Sequence, residues 1–151
     1  EDVQVGEDNA IDAGSVNVIY GSAVGLRGEY NRLLDEHILG TSHEAGDQFG
    51  AALAAGDFDG DGYDDLAVGV PGEDFGAVSP IDDAGSVQIV FGSADRLTTE
   101  DNQILFQGWD GLDNLTEEGD RFGGSLAAGF FDGDSYCDLA VGVPSEEPGT
   151  A

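Results

Sequence analysis

The sequence predicts an all-β protein made of tandem four-stranded antiparallel sheets, and three observations support this fold class. The segment GDQFGAALAAGDFDGDGYDDLAVGVP at 46–71 recurs as GDRFGGSLAAGFFDGDSYCDLAVGVP at 119–144. The segment AGSVNVIYGSA at 13–23 recurs as AGSVQIVFGSA at 84–94. Short apolar runs alternate in steps of two between Gly- and Asp-rich turns, which is typical of strands. A chain that repeats itself about every 70 residues indicates stacked supersecondary units.

Each repeat predicts four short strands, at 49–58, 65–70, 87–91 and 104–107. In the earlier and incomplete copy, the third strand is expected at 16–20 and the fourth at 37–39. The segment 26–34 is the best candidate for a helical turn, although no run of convincing length has a helical period.

Both faces of these strands carry apolar or small side chains. Leu66, Val68 and Val70 share one face of the second strand, and Ala67 and Gly69 share the other. A sheet of this kind must be covered on both sides. Four-stranded sheets that pack face to face around an axis make a β-propeller of roughly 4–8 blades. About two units cannot close such a ring, so the chain predicts further blades of its own or identical subunits, as a larger propeller or a head-to-tail array.

The repeat phase divides the chain into three parts. Residues 1–43 are expected to form a partial blade with the third and fourth strands and a loop. Residues 44–117 are expected to form one complete blade, and residues 118–151 the start of the next one.

The charge of the chain excludes some partners. The 151 residues include 32 acidic and 4 basic side chains, for a formal net charge of −28. Such a field repels nucleic acid and anionic membranes, while it attracts divalent cations or keeps a protein soluble in high salt. No apolar run approaches the roughly 20 residues needed to span a bilayer, so no membrane insertion is expected. The composition alone leaves the cation and high-salt explanations open.

The placement of the Asp residues favours the cation. Four of them stand at positions 1, 3, 5 and 9 of one loop, which are Asp57, Asp59, Asp61 and Asp65. Ca²⁺ takes roughly 6–8 oxygen ligands, and the carbonyl of Tyr63 at position 7 can add one. An EF-hand would need an acidic ligand at position 12, where this chain has Val68 within an apolar strand. The loop therefore predicts a strand–loop–strand calcium hairpin, with a solvated Asx/Gly turn as the alternative.

The second copy of the loop is degraded. Phe130 occupies position 1. The other predicted ligands are the carboxylates of Asp132, Asp134 and Asp138 and the backbone carbonyl of Tyr136. With one carboxylate of four missing, this hairpin is expected to bind calcium more weakly than the first.

The motifs around the loops resemble the FG-GAP repeat, the blade of the integrin α-chain propeller. The FG is Phe49-Gly50 and the GAP is present as Gly69-Val70-Pro71, with Val in place of Ala. Both recur in the second copy, at 122–123 and 142–144. The resemblance implies a propeller, usually seven-bladed, in extracellular or cell-surface proteins. It implies calcium ligands at Asp57, Asp59, Asp61, the Tyr63 carbonyl and Asp65 in hairpins opposite most ligand-binding loops.

These observations predict a calcium-binding extracellular scaffold for adhesion or recognition of a protein or glycan ligand. No Ser/His/Asp or Cys/His set and no distinctive carboxylate pair is apparent, so the chain is not expected to be an enzyme. Two alternatives stay open: a subunit of a head-to-tail surface filament, and a non-catalytic accessory module of a secreted carbohydrate-active enzyme. Asn114-Leu115-Thr116 is an N-glycosylation sequon, which makes Asn114 a candidate modification site.

Overall fold

Eight strands and one helical turn form the part of the chain that the structure describes. This computed structural model describes residues 11–42, 44–76, 79–109, 111–112 and 115–146. In chain order the elements are β1 Val16–Ser22, β2 Gly25–Leu34, α1 Glu36–Leu39, β3 Ala52–Gly56, β4 Asp65–Val70, β5 Ser86–Val90, β6 Gln103–Leu105, β7 Ser125–Gly129 and β8 Asp138–Gly142. The predicted all-β fold class is confirmed. Within these ranges no helix is long and apolar enough to cross a lipid bilayer.

The strands form three antiparallel sheets. The strands β3, β4, β5 and β6 make a four-stranded meander, whereas among the described residues β1 pairs only with β2 and β7 only with β8. Because β1 lies in the same repeated segment as β5, the first sheet supplies the third and fourth strands of one unit. In the same way, β7 and β8 repeat β3 and β4 and supply the first two strands of the next unit.

The central four-stranded sheet is covered on both faces. On one face Val68, Val70 and Val90 are buried in a cluster with side chains of the first sheet, among them Leu34. On the opposite face Val87 and its neighbours pack against partly buried side chains of β7 and β8. Full burial of one such aliphatic side chain contributes about 1.5–3 kcal/mol. The two neighbouring sheets therefore stabilise the central one through apolar packing.

The phenylalanine of each FG pair joins a sheet to the preceding one. The backbone N–H of Phe49 donates to the carbonyl oxygen of Ala13 over 2.7 Å, and that of Phe122 donates to Ala84 over 2.9 Å. Both rings are buried. Gly14 makes this approach possible, because a Cβ there would lie 2.4 Å from the carbonyl oxygen of Phe49. The same joint therefore repeats between successive sheets.

Two expectations about the first unit were wrong. The segment 26–34, predicted as a helical turn, lies in strand β2, and its Leu34 pairs with Val16 of β1. The segment 37–39, predicted as the fourth strand, is instead part of α1. The Asp35 side chain caps this turn by accepting a hydrogen bond from the Ile38 N–H over 2.9 Å. Gly40, at φ 88°, ends it in the left-handed conformation.

The other predicted strands agree with the structure to within a few residues. The second strand has the predicted bounds, and the third and fourth start one residue earlier, at Ser86 and Gln103, and also end earlier than predicted. The first is shorter than predicted, since β3 begins at Ala52 after a turn at Gly50, where φ is 89°. In the first unit, β1 starts at the predicted residue but continues to Ser22.

Candidate functional site

The Asp-rich loop connects β3 to β4 at one end of the central sheet. The pairing of Gly56 with Asp65 closes the hairpin, and residues 57–64 form the loop between them. Gly60 and Gly62 have φ angles of 79° and 92°, a region that glycine adopts without the penalty of a Cβ. The two glycines therefore allow the tight path that the alternating Asp residues require.

Backbone N–H groups of the loop orient its carboxylates. Asp57 accepts hydrogen bonds from the N–H of Gly60 over 2.7 Å and of Gly62 over 3.0 Å. Asp59 accepts from the N–H of Asp61 over 3.0 Å, and Asp61 accepts from the residue 63 N–H over 2.8 Å. The bonds at Asp59 and Asp61 are Asx turns, in which an Asp side chain accepts from the N–H two residues later, whereas Asp57 accepts from N–H groups three and five residues later. The loop thus holds its three carboxylates in fixed directions.

The three carboxylates converge on one point. One ligand oxygen from each of Asp57, Asp59 and Asp61 lies within 4.8 Å of the others. Ca²⁺ binds oxygens at roughly 2.3–2.6 Å, so ligands on opposite sides of one ion are separated by about twice that distance. The set consists only of hard oxygen donors, and like charges this close repel one another when nothing neutralises them. The geometry and the chemistry both fit a divalent cation such as Ca²⁺.

Asp65, the fourth predicted ligand, is the first residue of β4 and is not part of the group of three converging carboxylates. It is 1% exposed, and its two carboxylate oxygens accept hydrogen bonds from the N–H groups of Phe58 over 2.8 Å and Gly92 over 2.7 Å. Burial raises the pKa of the Asp65 carboxyl, while these two N–H groups oppose the shift. Asp65 therefore links the loop to the segment that follows β5. Its role as a metal ligand stays a prediction.

The second hairpin keeps the same hydrogen-bond pattern with one part missing. The N–H of Asp134 donates to Asp132 over 2.8 Å, and the N–H of Tyr136 donates to Asp134 over 2.9 Å. Asp138 accepts from the residue 131 N–H over 2.5 Å, as Asp65 accepts in the first hairpin. Phe130 has no carboxylate to accept the two bonds that Asp57 accepts, and its side chain is 68% exposed. Weaker binding by this hairpin stays a prediction.

The two hairpins lie against each other. A Cβ placed on Gly60 would be 2.4 Å from Cε1 of Tyr136, so the tyrosine ring packs directly on the first loop. A Cβ on Gly56 would be 2.4 Å from Sγ of Cys137. The sequence identifies each hairpin separately, but it gives no sign of this contact between them.

Comparison with known proteins assigns the repeat. The FG-GAP repeat family model matches residues 49–90, which include the first hairpin and strands β3 to β5. Residues 49–90 are an FG-GAP repeat. The motif that suggested this family in the sequence is therefore confirmed, and with it the description of the sheets as β-propeller blades.

Relatives of this chain include integrin α subunits. Integrin alpha-6 of Gallus gallus is 35% identical over 97% of the chain, and integrin alpha-PS2 of Drosophila melanogaster is 37% identical over 72%. Phosphatidylinositol-glycan-specific phospholipase D of Mus musculus is 34% identical over 87% of the chain. The chain covers only 12%, 7% and 14% of these three relatives, respectively. The similarity therefore concerns one region of much longer proteins.

Sequence reasoning missed a second group of carboxylates in this chain. Glu36, Asp47 and Glu73 are brought together away from the Asp-rich loops, and Glu36 and Asp47 are buried. The repeated Gly-Asp before each FG and the Gly-Glu-Asp after the first GAP were visible signals for two of them. Glu36 was concealed by the wrong assignment of the fourth strand. The sequon residue Asn114 lies outside the described residues.

Proposed function

We propose that this chain is a calcium-stabilised segment of FG-GAP propeller blades that serves as an extracellular or cell-surface scaffold for adhesion or recognition. The observation that carries the proposal is the convergence of Asp57, Asp59 and Asp61 within 4.8 Å. The Tyr63 carbonyl and Asp65 complete the proposed ligand set. The residues Asp132, Asp134, Tyr136 and Asp138 form a weaker site.

Calcium would act through the folded state. An ion that binds the folded hairpin and not the unfolded chain stabilises the fold by RT ln(1 + [L]/Kd), about 2.7 kcal/mol at a hundredfold excess over Kd. The ion would also remove the repulsion among the clustered carboxylates. In this proposal calcium fixes the hairpin that lies against the next blade, so it supports the stacking of blades as well as the local fold.

The proposed partners follow from the partial sheets at both ends. The first and last sheets contain two strands each within the described ranges, and the first exposes large apolar side chains such as Ile19 and Leu26. Further FG-GAP blades of the same chain, or identical subunits, would supply the neighbours that these sheets lack. The proposed boundaries are a partial blade at 1–43, a complete blade at 44–117 and the start of another at 118–151.

A groove beside the first hairpin offers a place for a protein or glycan ligand. It is lined by aromatic and charged side chains, including Tyr20, Tyr30, Tyr63, Arg27 and Arg96. The Arg96 guanidinium carbon lies 5.2 Å and 4.8 Å from the centroids of Tyr20 and Tyr30. Aromatic faces beside polar groups are suited to recognition of glycans and of protein side chains.

Calcium titration by calorimetry tests whether the Asp-rich loop binds calcium. The wild-type chain is stripped of metal and compared with the variants Asp61→Ala and Asp64→Ala. Asp64 is an exposed residue of the same loop outside the three-carboxylate group, so its variant controls for the loss of one charge. We expect tight binding by wild type and Asp64→Ala and its loss in Asp61→Ala. Equal heats for all three proteins would contradict the proposal.

A second candidate function is a non-catalytic module within a larger enzyme. The similarity to phosphatidylinositol-glycan-specific phospholipase D favours it, because that relative carries an enzyme's name and matches over 14% of its length. In both candidates the chain itself has no catalytic role. The coding sequence on either side of this chain separates them: a catalytic domain supports the module, and further FG-GAP repeats without one support the adhesion scaffold. A filament would instead be recognised as long particles by electron microscopy.

A further inference from the structure

A buried acidic joint connects the first sheet to the central one. Glu36 in α1 is fully buried, and it faces the carboxyl groups of Asp47, which precedes β3, and Glu73, which follows β4. Among the described residues, no N–H or O–H group donates a hydrogen bond to either carboxylate oxygen of Glu36. The acidic side chains of Glu44 and Asp74 lie close to this group as well. Three ionised carboxylates this close would repel one another, and within the described residues no donor offsets the charge of Glu36.

The repeat contains a second version of this joint. Val16 pairs with Leu34, and Val87, its counterpart in the repeated segment, pairs with Leu105. Leu34 and Leu105 are therefore equivalent. Two residues after each leucine comes Glu36 in the first unit and residue 107, a glutamine, in the second. The strand register thus identifies Glu36 as the structural counterpart of Gln107.

The acidic residues of the two joints also correspond. Asp47 and Glu73 match Asp120 and Glu146 in the alignment of the repeated segments 46–71 and 119–144, continued two residues beyond the GAP motif. Asp47 and Asp120 each accept a hydrogen bond from the backbone N–H three residues earlier. The backbone carbonyls of both Asp residues accept from the segment that follows the GAP motif. The two joints therefore have the same construction apart from the residue at position 36 or 107.

In the second joint a neutral amide satisfies the glutamate. Nε2 of Gln107 donates to Oε2 of Glu146 over 2.6 Å, and the glutamine is 4% exposed. In the first joint Glu36 takes the place of Gln107. An ionised Glu36 has no hydrogen to donate, whereas a neutral carboxylic acid has one. A proton on Glu36 would supply that donor and remove one of the three clustered charges.

We propose that Glu36 is held as a neutral carboxylic acid that donates its proton to the carboxylate of Glu73, as Gln107 donates its amide N–H to Glu146. The joint between the first and central sheets is then sensitive to pH through Glu36, whereas the neutral amide of Gln107 at the same place in the next joint has no acidic proton. Burial, reinforced by hydrogen bonding to and repulsion from Asp47 and Glu73, raises the pKa of Glu36 to about 10. Burial raises the pKa of Glu73 to about 7, although its hydrogen bond with Glu36 opposes that shift.

The sign of the pH effect follows from proton counting. Glu36 binds its proton in the folded chain but loses it in the unfolded chain above a pKa of about 4.5. Its stabilising contribution is complete below that pH and is lost as the pH rises toward the folded-state pKa. Between pH 8 and pH 9, above the pKa of Glu73 and below that of Glu36, the one proton that Glu36 releases on unfolding raises the unfolding constant by about tenfold per pH unit.

Carboxyl NMR and unfolding measurements in EDTA test the proposal. Carbon-13 carboxyl titration of glutamate-labelled chain is expected to show one neutral carboxyl at pH 8.5, above the pKa of Glu73, that is absent from Glu36→Gln. The same variant is expected to lose the tenfold slope, whereas Glu100→Gln, which removes an exposed charge, keeps it. Gln107→Glu is expected to steepen the slope by creating a second acidic joint, and it serves as an independent test if Glu36→Gln does not fold.

Two results would overturn the inference. One is a Glu36 carboxyl that is ionised at pH 8.5, or a pH slope of unfolding that is the same in wild type and Glu36→Gln. The other is a divalent cation at the joint. That case is recognised if calcium still stabilises Asp61→Ala and this residual stabilisation disappears in the double variant with Glu36→Gln. The second outcome does not depend on whether the Asp-rich hairpin binds calcium.

Discussion

The backbone N–H of Cys137 donates a hydrogen bond to the carbonyl oxygen of Asp57 over 2.9 Å. A residue of the second Asp-rich hairpin is thereby bonded to the first carboxylate residue of the other hairpin. Together with the ring of Tyr136 on Gly60, this bond makes the first loop part of the contact between two blades. Any ion held by the first loop is consequently linked to the packing of the next blade.

Removal of the Tyr136 ring is expected to weaken calcium binding by the first hairpin without abolishing it. The ring is about half exposed, so its contact with the loop contributes about 1 kcal/mol, half the value of full burial. Part of that energy preorganises the loop, and Tyr136→Ala should raise the calcium Kd by up to about fivefold. Calorimetry at constant pH measures it, with Phe131→Ala, an exposed ring on the same hairpin, as the control. An unchanged Kd would show that the two hairpins are independent.

Replacement of Phe130 by Asp is expected to create a second strong calcium site. The substitution restores the carboxylate at the first position of the second loop, beside Asp132 and Asp134, which already hold the turn. Phe130 is 68% exposed, so its loss should cost little stability. Equilibrium dialysis should show one strongly bound calcium per chain for wild type and two for Phe130→Asp. Phe130→Asn, with one fewer charge, should show a weaker second site, and a stoichiometry of one in both variants would contradict this prediction.

Gly69 should tolerate a methyl group far less well than its counterpart Gly142. A Cβ on Gly69 would lie 2.2 Å from the backbone carbonyl oxygen of Gly123, which belongs to the next blade and cannot rotate away. A Cβ on Gly142 would meet Oγ of Ser125, which can change rotamer. Gly69→Ala should therefore lower the free energy of unfolding by about 1–3 kcal/mol, and Gly142→Ala by clearly less. Urea unfolding of the two variants measures the difference, and equal losses would argue against this close approach of the blades.

The features that sequence predicted best are those that depend on local patterns. Strand β4 has the predicted bounds because an uninterrupted run of apolar and small residues follows Asp65 and ends at Val70. The loop before it was recognised because Asp and Gly alternate at the spacing that Asx turns require. Both signals are contained within a few consecutive residues, so neither depends on the rest of the fold.

The features that sequence did not predict depend on distant contacts. Strand β2 is mostly exposed and contains two Gly and several charged residues, so its pattern gives no strong period. Its pairing with β1 joins distant residues, and Glu36, which follows β2 in α1, lies beside Asp47 and Glu73, which are also distant in sequence. The hydrogen bond from the Gly92 N–H to Asp65 likewise joins the segment after β5 to the first residue of β4. Register and burial, which produce these contacts, cannot be read from a local window.

Without calcium, the loss of the Asp65 side chain should destabilise the fold much more than the loss of the Asp61 side chain. Asp65 accepts hydrogen bonds from two backbone N–H groups, and the bond from Gly92 is buried. Asp65→Ala leaves both donors without their acceptor, which should cost about 3 kcal/mol, since each unsatisfied buried group costs about 1–3 kcal/mol. Asp61→Ala removes an exposed carboxylate from a group of like charges, so it should change stability by no more than about 0.5 kcal/mol without calcium.

Urea unfolding in EDTA and in excess calcium distinguishes the two roles. In EDTA, Asp65→Ala should be strongly destabilised and Asp61→Ala should match wild type. In calcium, wild type should gain stability while Asp61→Ala should not, because its loop lacks a ligand that converges on the ion. If Asp65→Ala behaves like wild type in EDTA, the hydrogen bonds from Phe58 and Gly92 do not hold the hairpin. If Asp61→Ala gains as much from calcium as wild type does, the three converging carboxylates are a solvated turn.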